Sequence, residues 1–316
     1  MMRFVILMVV LLSSIQLEAQ PLFKAAKADF ENKKYEDGLK KINEVIAQNG
    51  ENAEYLKLQA DFYAFLYQTE KSATAYFKAI TLERSKAQPD HDFLGETYYY
   101  LSGCYYQIGQ FQTSIRHCKN GLSYQPSDQI KSNLRYNLSS SFARLGNYDS
   151  AMFYLNTSYT YDLKMGDSAA ISTDLNSLAY IQAQKGAYEK ALKLYEESAA
   201  YLETLKNGKS RLMANRLSNI GMMQYHLGRF KEAEHNLLNS QKTYEMMSDS
   251  IKIITQIVNL SKVYKATGRI SAAKRNLMIA NLYLKDGYLM GYSSYKAAAW
   301  GTLFGVRFKK SGTQRS

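Results

Sequence analysis

Four histidines and two cysteines are the side chains of this protein best suited to bind a metal or attack a substrate, and their spacing assembles no working set. His117 and Cys118 are adjacent, so on a helix they point to different faces, whereas ligands three or four residues apart would converge. His226 and His235 fall on two different helices of the pattern described below, with no HExxH between them. The stretch Pro89-Asp90-His91-Asp92 carries atoms that suit a cation, but its residue types are those of a polar turn. The chain has no P-loop, no strand-linked GxGxxG and no CxxC. No nucleophile stands with a base and an orienting group. The residues therefore predict no catalytic centre, no metal site and no cofactor.

Tyrosine and asparagine recur instead, and both suit recognition rather than turnover. The chain has 27 tyrosines. A tyrosine ring serves where one side must be dry and the other wet, and asparagine offers both a donor and an acceptor. Which of these residues share a surface depends on the elements that carry them.

The stretch 219–237, NIGMMQYHLGRFKEAEHNL, shows how those elements are built. The slot of Gly228 recurs as Gly109, Gly146, Gly186 and Gly268. Two residues later stand Phe111, Tyr148, Tyr188, Phe230 and Ile270. Five residues later stand Ser114, Ala151, Ala191, Ala233 and Ala273, and seven before stand Ser102, Ser139, Ala179, Gly221 and Ser261. The glycine ends a first helix in a left-handed conformation that a β-carbon resists. The small residues on either side let a second, antiparallel helix approach closely. Leu155, Tyr195, Leu237 and Leu277, nine places after the glycine, fill the groove between helix pairs. Asp90, Ser127-Asp128, Asp167-Ser168 and Asp249-Ser250 supply caps for the helices that follow.

This arrangement resembles the tetratricopeptide repeats, whose helix–turn–helix unit has a leucine, a small residue and an aromatic, then alanine and a large apolar residue. Two weaker units lie upstream, one through Ala26, Tyr35, Gly38 and Ile42, the other through Ala60, Ala73 and Phe77, with Lys33 and Gln68 as the missing markers. Markers at 33, 68, 109, 146, 186, 228 and 268 are 35 to 42 residues apart, longer than the family's period of about 34. The resemblance implies an all-α fold, a right-handed α-solenoid of about seven repeats over residues 20–285. It also implies a non-catalytic scaffold that binds a protein or an extended peptide along a concave face. The alternative reading is a sensor-type module related to the periplasmic half of bacterial membrane-spanning transcriptional regulators or sensor kinases.

Counted back from each marker, the positions at thirteen, ten, six and three keep to one side of the first helix, and in such a stack these sides line a groove. Its expected occupants are Tyr99 and Tyr106, Asn133 and Tyr136, Asn176 and Tyr180, Asn215, Met222 and Tyr225, then Lys262 and Lys265. Arg144 sits beside them, and Phe62 and Phe65 extend the face upstream. Nine residues before the glycine stand Asn137, Asn219 and Asn259, with Asn176 one step off. This ladder resembles the Asn-bearing repeats of kinesin light chains, which implies pairing with the backbone of an extended segment. The same asparagines equally suit bonds to backbone or to an adjoining helix.

The ends carry different information. Met1–Arg3 is positively charged, Phe4 to Leu12 is apolar, and Ala19 precedes Gln20, which predicts a signal peptide over residues 1–19. The apolar run is shorter than the roughly 20 residues of a membrane span. Export to the periplasm or envelope of a Gram-negative bacterium follows. Residues 286–305 are expected to form a capping helix, and 306–316 a disordered basic tail. Membrane contact would require an uncleaved signal segment or an interfacial role for the apolar residues 297–306. The formal net charge is +12, but basic residues are interspersed with acidic ones. With export, this excludes nucleic acid and leaves a mild preference for acidic partners. Cys104 and Cys118 fall on adjoining helices about a turn apart, a poor placement for a disulfide.

Overall fold

The computed structural model describes residues 20–205 and 211–285. The signal peptide, the capping helix and the basic tail expected from the sequence lie outside the described residues. Helix α1 covers residues 20–31. It is followed by α2 (Tyr35–Asn49), α3 (Ala53–Phe65), α4 (Thr69–Arg84), α5 (His91–Gln107), α6 (Phe111–Ser123) and α7 (Asp128–Arg144). Then come α8 (Tyr148–Met165), α9 (Ser168–Gln184), α10 (Tyr188–Glu203), α11 (Arg211–His226), α12 (Phe230–Met246), α13 (Ser250–Ala266) and α14 (Ile270–Lys285). No strand occurs among the described residues, and none of their helices is long and apolar enough to cross a membrane. The fold is an all-α solenoid of helix pairs.

Two compact units divide the chain, Met1–Tyr161 and Asp162–Ser316. In the first, α3 pairs with α4 and α5 with α6, and the first helix α5 also touches the next first helix, α7. In the second, α9 pairs with α10, α11 with α12 and α13 with α14, and α11 touches α13. Each unit buries its own apolar residues. Tyr76, Leu94, Leu101, Cys118, Leu134 and Leu138 form the main core of the first. Tyr195, Ile220 and Met223 form one core cluster of the second, and Leu237, Leu260 and Val263 another. The residues nine after the glycine markers, Leu155, Tyr195, Leu237 and Leu277, are all buried as expected.

Two glycines of one helix pair separate the two physical uses of that residue. Gly228 has φ +76, and a Cβ there would meet nothing within 4 Å, so the left-handed turn alone requires glycine. Gly221 is helical, and a Cβ there would lie 2.9 Å from Leu237 Cγ and 3.1 Å from the Ala233 carbonyl oxygen. The approach of α11 to α12 requires it. The small residues at other contacts are often serine, and their hydroxyls bond across the helix pair. Ser132 and Ser158 Oγ are 2.8 Å apart, and Ser172 and Ser198 Oγ 3.0 Å.

One marker needs correction. Lys33 holds the left-handed conformation at φ 60, but in the next unit Tyr67 holds it at φ 58, and Gln68 is the residue that precedes α4. The marker therefore moves back by one.

The turns behave as caps. Asp90 accepts hydrogen bonds from the Asp92 and Phe93 amides at 2.9 and 3.0 Å, and Asp92 accepts from the Ser127 amide at 2.6 Å. The carboxylates of the Asp90-His91-Asp92 stretch are thus engaged with backbone. Asp167 caps α9 and Asp249 caps α13, whereas Ser127 makes no side-chain cap on α7. Cys104 and Cys118 are both buried free thiols. The Cys104 thiol lies 3.5 Å from Ser72 Oγ, and burial pushes the Cys118 thiol up to about 12.

Candidate functional site

In the first unit the left-handed residues Lys33, Tyr67 and Gly109 end α1, α3 and α5. Ten residues before them stand Phe23, Lys57 and Tyr99; six before stand Lys27, Asp61 and Gly103. Thirteen before Tyr67 and Gly109 stand Glu54 and Glu96. All eight line one of two cavities. The first, about 280 Å³, is walled by Phe23, Lys27, Glu54, Lys57, Asp61 and Glu96 among others. The second, about 200 Å³, is walled by Tyr76, Tyr99, Tyr100, Gly103 and Asn137 among others. A larger recess of about 820 Å³, lined by Lys24, Tyr55 and Lys86, shares Phe23, Lys27 and Glu54 with the first.

Tyr100 joins the two small cavities chemically. Its ring stacks on Tyr76 at 5.8 Å and receives the Lys57 ammonium at 5.1 Å. Lys57 Nζ is also 3.3 Å from Glu96 and 3.7 Å from Asp61. The other Asp61 oxygen accepts from the Tyr76 hydroxyl at 2.5 Å. Burial raises the Asp61 carboxyl above its ordinary range, opposed by the Lys57 charge and the Tyr76 hydroxyl. Burial likewise pushes the Tyr76 and Tyr100 phenols well up, so both are donors at neutral pH.

The expected residues of this unit fall into two groups. Asn137 reaches from α7 to α5 and donates to the Tyr99 carbonyl at 3.1 Å and to Ser102 Oγ at 2.9 Å. Tyr99 is half-buried and adjoins Tyr136, whose proximity follows burial as a cause of its raised phenol pKa. Tyr106 and Arg144 converge elsewhere, on Phe111. The Tyr106 ring is edge-on to it at 5.5 Å, and the Arg144 guanidinium lies 5.3 Å above it.

In the second unit Asn219 of α11 donates to Asn176 of α9 at 3.1 Å. Asn259 of α13 is buried and accepts from Lys262 Nζ at 3.2 Å. Tyr225 is edge-on to His226 at 5.3 Å, and His226 stacks on Tyr188 at 4.5 Å. Burial lowers the Lys262 pKa; burial and then the Lys262 charge lower that of His226. Tyr180 is exposed on α9, and Lys265 is exposed at the end of α13. Asn137 and the Asn176–Asn219 pair thus tie neighbouring first helices together, whereas Asn259 bonds Lys262 on its own helix.

Sequence reasoning passed over Lys57, Asp61, Glu96 and Tyr100. Tyr100 stands nine before Gly109, the slot already recognised for the asparagines. Lys57 and Asp61 were hidden by the misplaced marker, which put Phe62 on the face instead. Phe62 is fully buried against Phe30, while Phe65 is half-exposed and stacks on Tyr35. Among the described residues no group of three or more His, Cys, Asp or Glu could hold a metal ion.

Residues 167–246 match the family model for the tetratricopeptide repeat. A comparison with curated proteins finds no significant match. The apo form of RapI has a similar fold, with a TM-score of 0.66 at 16% identity, over 92% of this chain and 82% of that one. A Rap protein complexed with Competence and Sporulation Factor matches with a TM-score of 0.62 at 16% identity, over 87% and 79%. A tetratricopeptide repeat protein from Parabacteroides merdae matches with a TM-score of 0.62 at 11% identity, over 90% and 98%. The repeated glycine-ended first helices and the small residues that seat each second helix against them agree with the tetratricopeptide-repeat match over residues 167–246 and with the similar folds of these structures.

Proposed function

We propose that this protein is a non-catalytic scaffold that recruits an extended peptide or a protein segment to the faces of its first helices. Tetratricopeptide repeats serve as protein–protein interaction scaffolds, but the fold alone does not choose a partner. The observation that carries the reading is the register. In the first unit, the positions ten and six before the left-handed residues that end α1, α3 and α5, with Glu54 and Glu96 thirteen before the last two, line two cavities. Those cavities are too small for a drug-sized ligand, whose sites run about 300–1,000 Å³, but they suit single side chains of a bound chain. Half-buried tyrosines supply contact area at low entropic cost. The partner segment carries acidic residues, in keeping with the surplus of basic ones here. The same fold in a Rap protein complexed with Competence and Sporulation Factor is consistent with a binding role. The charged start, apolar run and Ala19 of the N-terminus support delivery to the periplasm or envelope of a Gram-negative bacterium.

The test is capture from an envelope fraction by residues 20–316, repeated with Tyr136→Ala, Tyr180→Ala and Tyr225→Ala. The reading expects a partner that the parent retains and the triple variant loses by about tenfold or more, an effect of roughly 1.4 kcal/mol. Equal capture by both would rule it out.

A further inference from the structure

The recess that Lys24, Tyr55 and Lys86 line in the first unit has a size and a chemistry of its own. It measures about 820 Å³, more than the cavities of 280 and 200 Å³ together. Small-molecule sites run about 300–1,000 Å³, with mostly apolar walls and a few converging polar groups. The floor here is apolar. Phe23 of α1 and Tyr55 of α3, both half-buried, meet edge-on with ring centroids 4.7 Å apart, and the buried Ala53 shares the lining.

The rim is basic. Lys24 and Lys27 stand three residues apart, on one side of α1, and both are exposed. Lys86, just beyond α4, is the third lysine of the lining, against one acidic residue, Glu54, among the described residues. The buried Glu83 carboxylate already holds the Lys86 ammonium at 2.7 Å. Lys24 and Lys27 have no carboxylate within ion-pair distance among the described residues. The Lys27 ammonium lies 4.4 Å from the centre of the Phe23 ring, so charge and apolar floor meet at that residue.

A cation would enter against three ammonium groups. An inorganic anion would engage the lysines but leave the aromatic floor wet, and a neutral apolar molecule would cover the floor and make no use of the lysines. A flat apolar body with an anionic head uses both. The body removes the Phe23 and Tyr55 rings from water. The long stems of Lys24 and Lys27 carry their ammoniums to the head, where charge-assisted hydrogen bonds replace those to water. We infer that this recess binds a small aromatic anion, with Lys24 and Lys27 on the head and Phe23 and Tyr55 beneath the body. The site stands whether or not a peptide is recruited to the first-helix faces.

The probe is anilinonaphthalene sulfonate, an aromatic anion whose fluorescence rises as it leaves water, compared with its uncharged counterpart, N-phenylnaphthylamine. Both dyes are titrated into the full chain, into Lys24→Gln/Lys27→Gln, and into Lys190→Gln/Lys193→Gln. The last pair removes two exposed lysines, also three apart, from α10 of the second unit. The inference expects saturable binding of the sulfonate by the parent. Lys24→Gln/Lys27→Gln should weaken it about fivefold, as the loss of two partly exposed charge contacts implies, and the α10 pair should leave it unchanged. The uncharged dye should bind all three proteins alike, and sulfate at the dye's own concentration should not displace the sulfonate. Equal sulfonate affinity in the parent and Lys24→Gln/Lys27→Gln, an equal loss in the α10 pair, displacement by sulfate, or no saturable binding by the parent would each overturn the inference. None of these results bears on peptide recruitment, which the tyrosine variants test separately.

Discussion

Asn219 on α11 donates its side-chain amide to Asn176 on α9 across 3.1 Å, and so fastens one first helix to the preceding one. Asn137 plays the same part between α7 and α5, by bonds to the Tyr99 carbonyl and Ser102. These ties set the spacing of the first helices, and with it the width of the surface between their tyrosines. A part-buried hydrogen bond of this kind contributes about 1 kcal/mol. Asn176→Ala and Asn219→Ala should therefore each destabilise by about that amount. The double variant should cost less than the sum, with a coupling of about 0.5–1.5 kcal/mol in urea titrations. Strict additivity would show that the bond contributes nothing.

Gly228 and Gly221 should fail for different reasons. Gly228→Ala forces a β-carbon into the left-handed region and should cost about 1–2 kcal/mol. No neighbouring truncation should rescue it, because nothing lies within 4 Å of that Cβ. Gly221→Ala overpacks the α11–α12 contact at a cost of about 1–3 kcal/mol. Leu237→Val should recover part of that loss, since Leu237 Cγ is the atom met at 2.9 Å. Thermal melts of the two single and two double variants check both statements.

The register of these faces was legible wherever glycine marked it and also at Lys33, but slipped by one residue at Tyr67. At Gly109 the left-handed residue announces itself by composition; at Tyr67 it does not, since the residue type gives no sign of φ 58. An error of one residue rotates a helix by about 100°. That rotation alone placed Phe62 on the surface and hid Asp61 and Lys57. The Asn176–Asn219 bond was beyond reach for another reason. Asparagine at that slot suits a ligand or a neighbour equally well, and only the distance between α9 and α11 decides.

His117 gives the fold a pH dependence. It is buried on α6, stacked on Tyr105 at 4.9 Å and Tyr98 at 6.0 Å, and Arg116 is nearby. Burial first, and then the Arg116 charge, lower its pKa from 6.5 to about 4. Between those values the unfolded chain binds the proton more tightly than the folded one, so stability rises with pH across that window. The contribution is complete above pH 6.5 and is lost as pH falls towards 4, by up to about 3 kcal/mol. His117→Phe should flatten this part of the profile in denaturant midpoints taken from pH 4 to 7. An unchanged slope would place the titration elsewhere.

Cys118 should be inert in the folded protein. Its thiol is fully buried and pushed up to about 12, and the thiolate is the reactive form. Labelling by a maleimide at pH 7.5 should be slow for both cysteines and become fast on unfolding, with two thiols titrated per chain. Rapid labelling of native protein, or a count below two after purification without reductant, would contradict the buried, unpaired thiols.

Site-specific photo-crosslinking reads directly which side of each helix pair meets the partner. A benzophenone side chain placed singly at Tyr136, Tyr180 or Met222 samples the first-helix faces. The same group at Phe153 or Leu238, exposed on second helices α8 and α12, samples the opposite side. In an envelope extract, recruitment to the first-helix faces should give a shared adduct from the first three positions and none from the last two. Adducts confined to Phe153 and Leu238, or equal at all five, would contradict it.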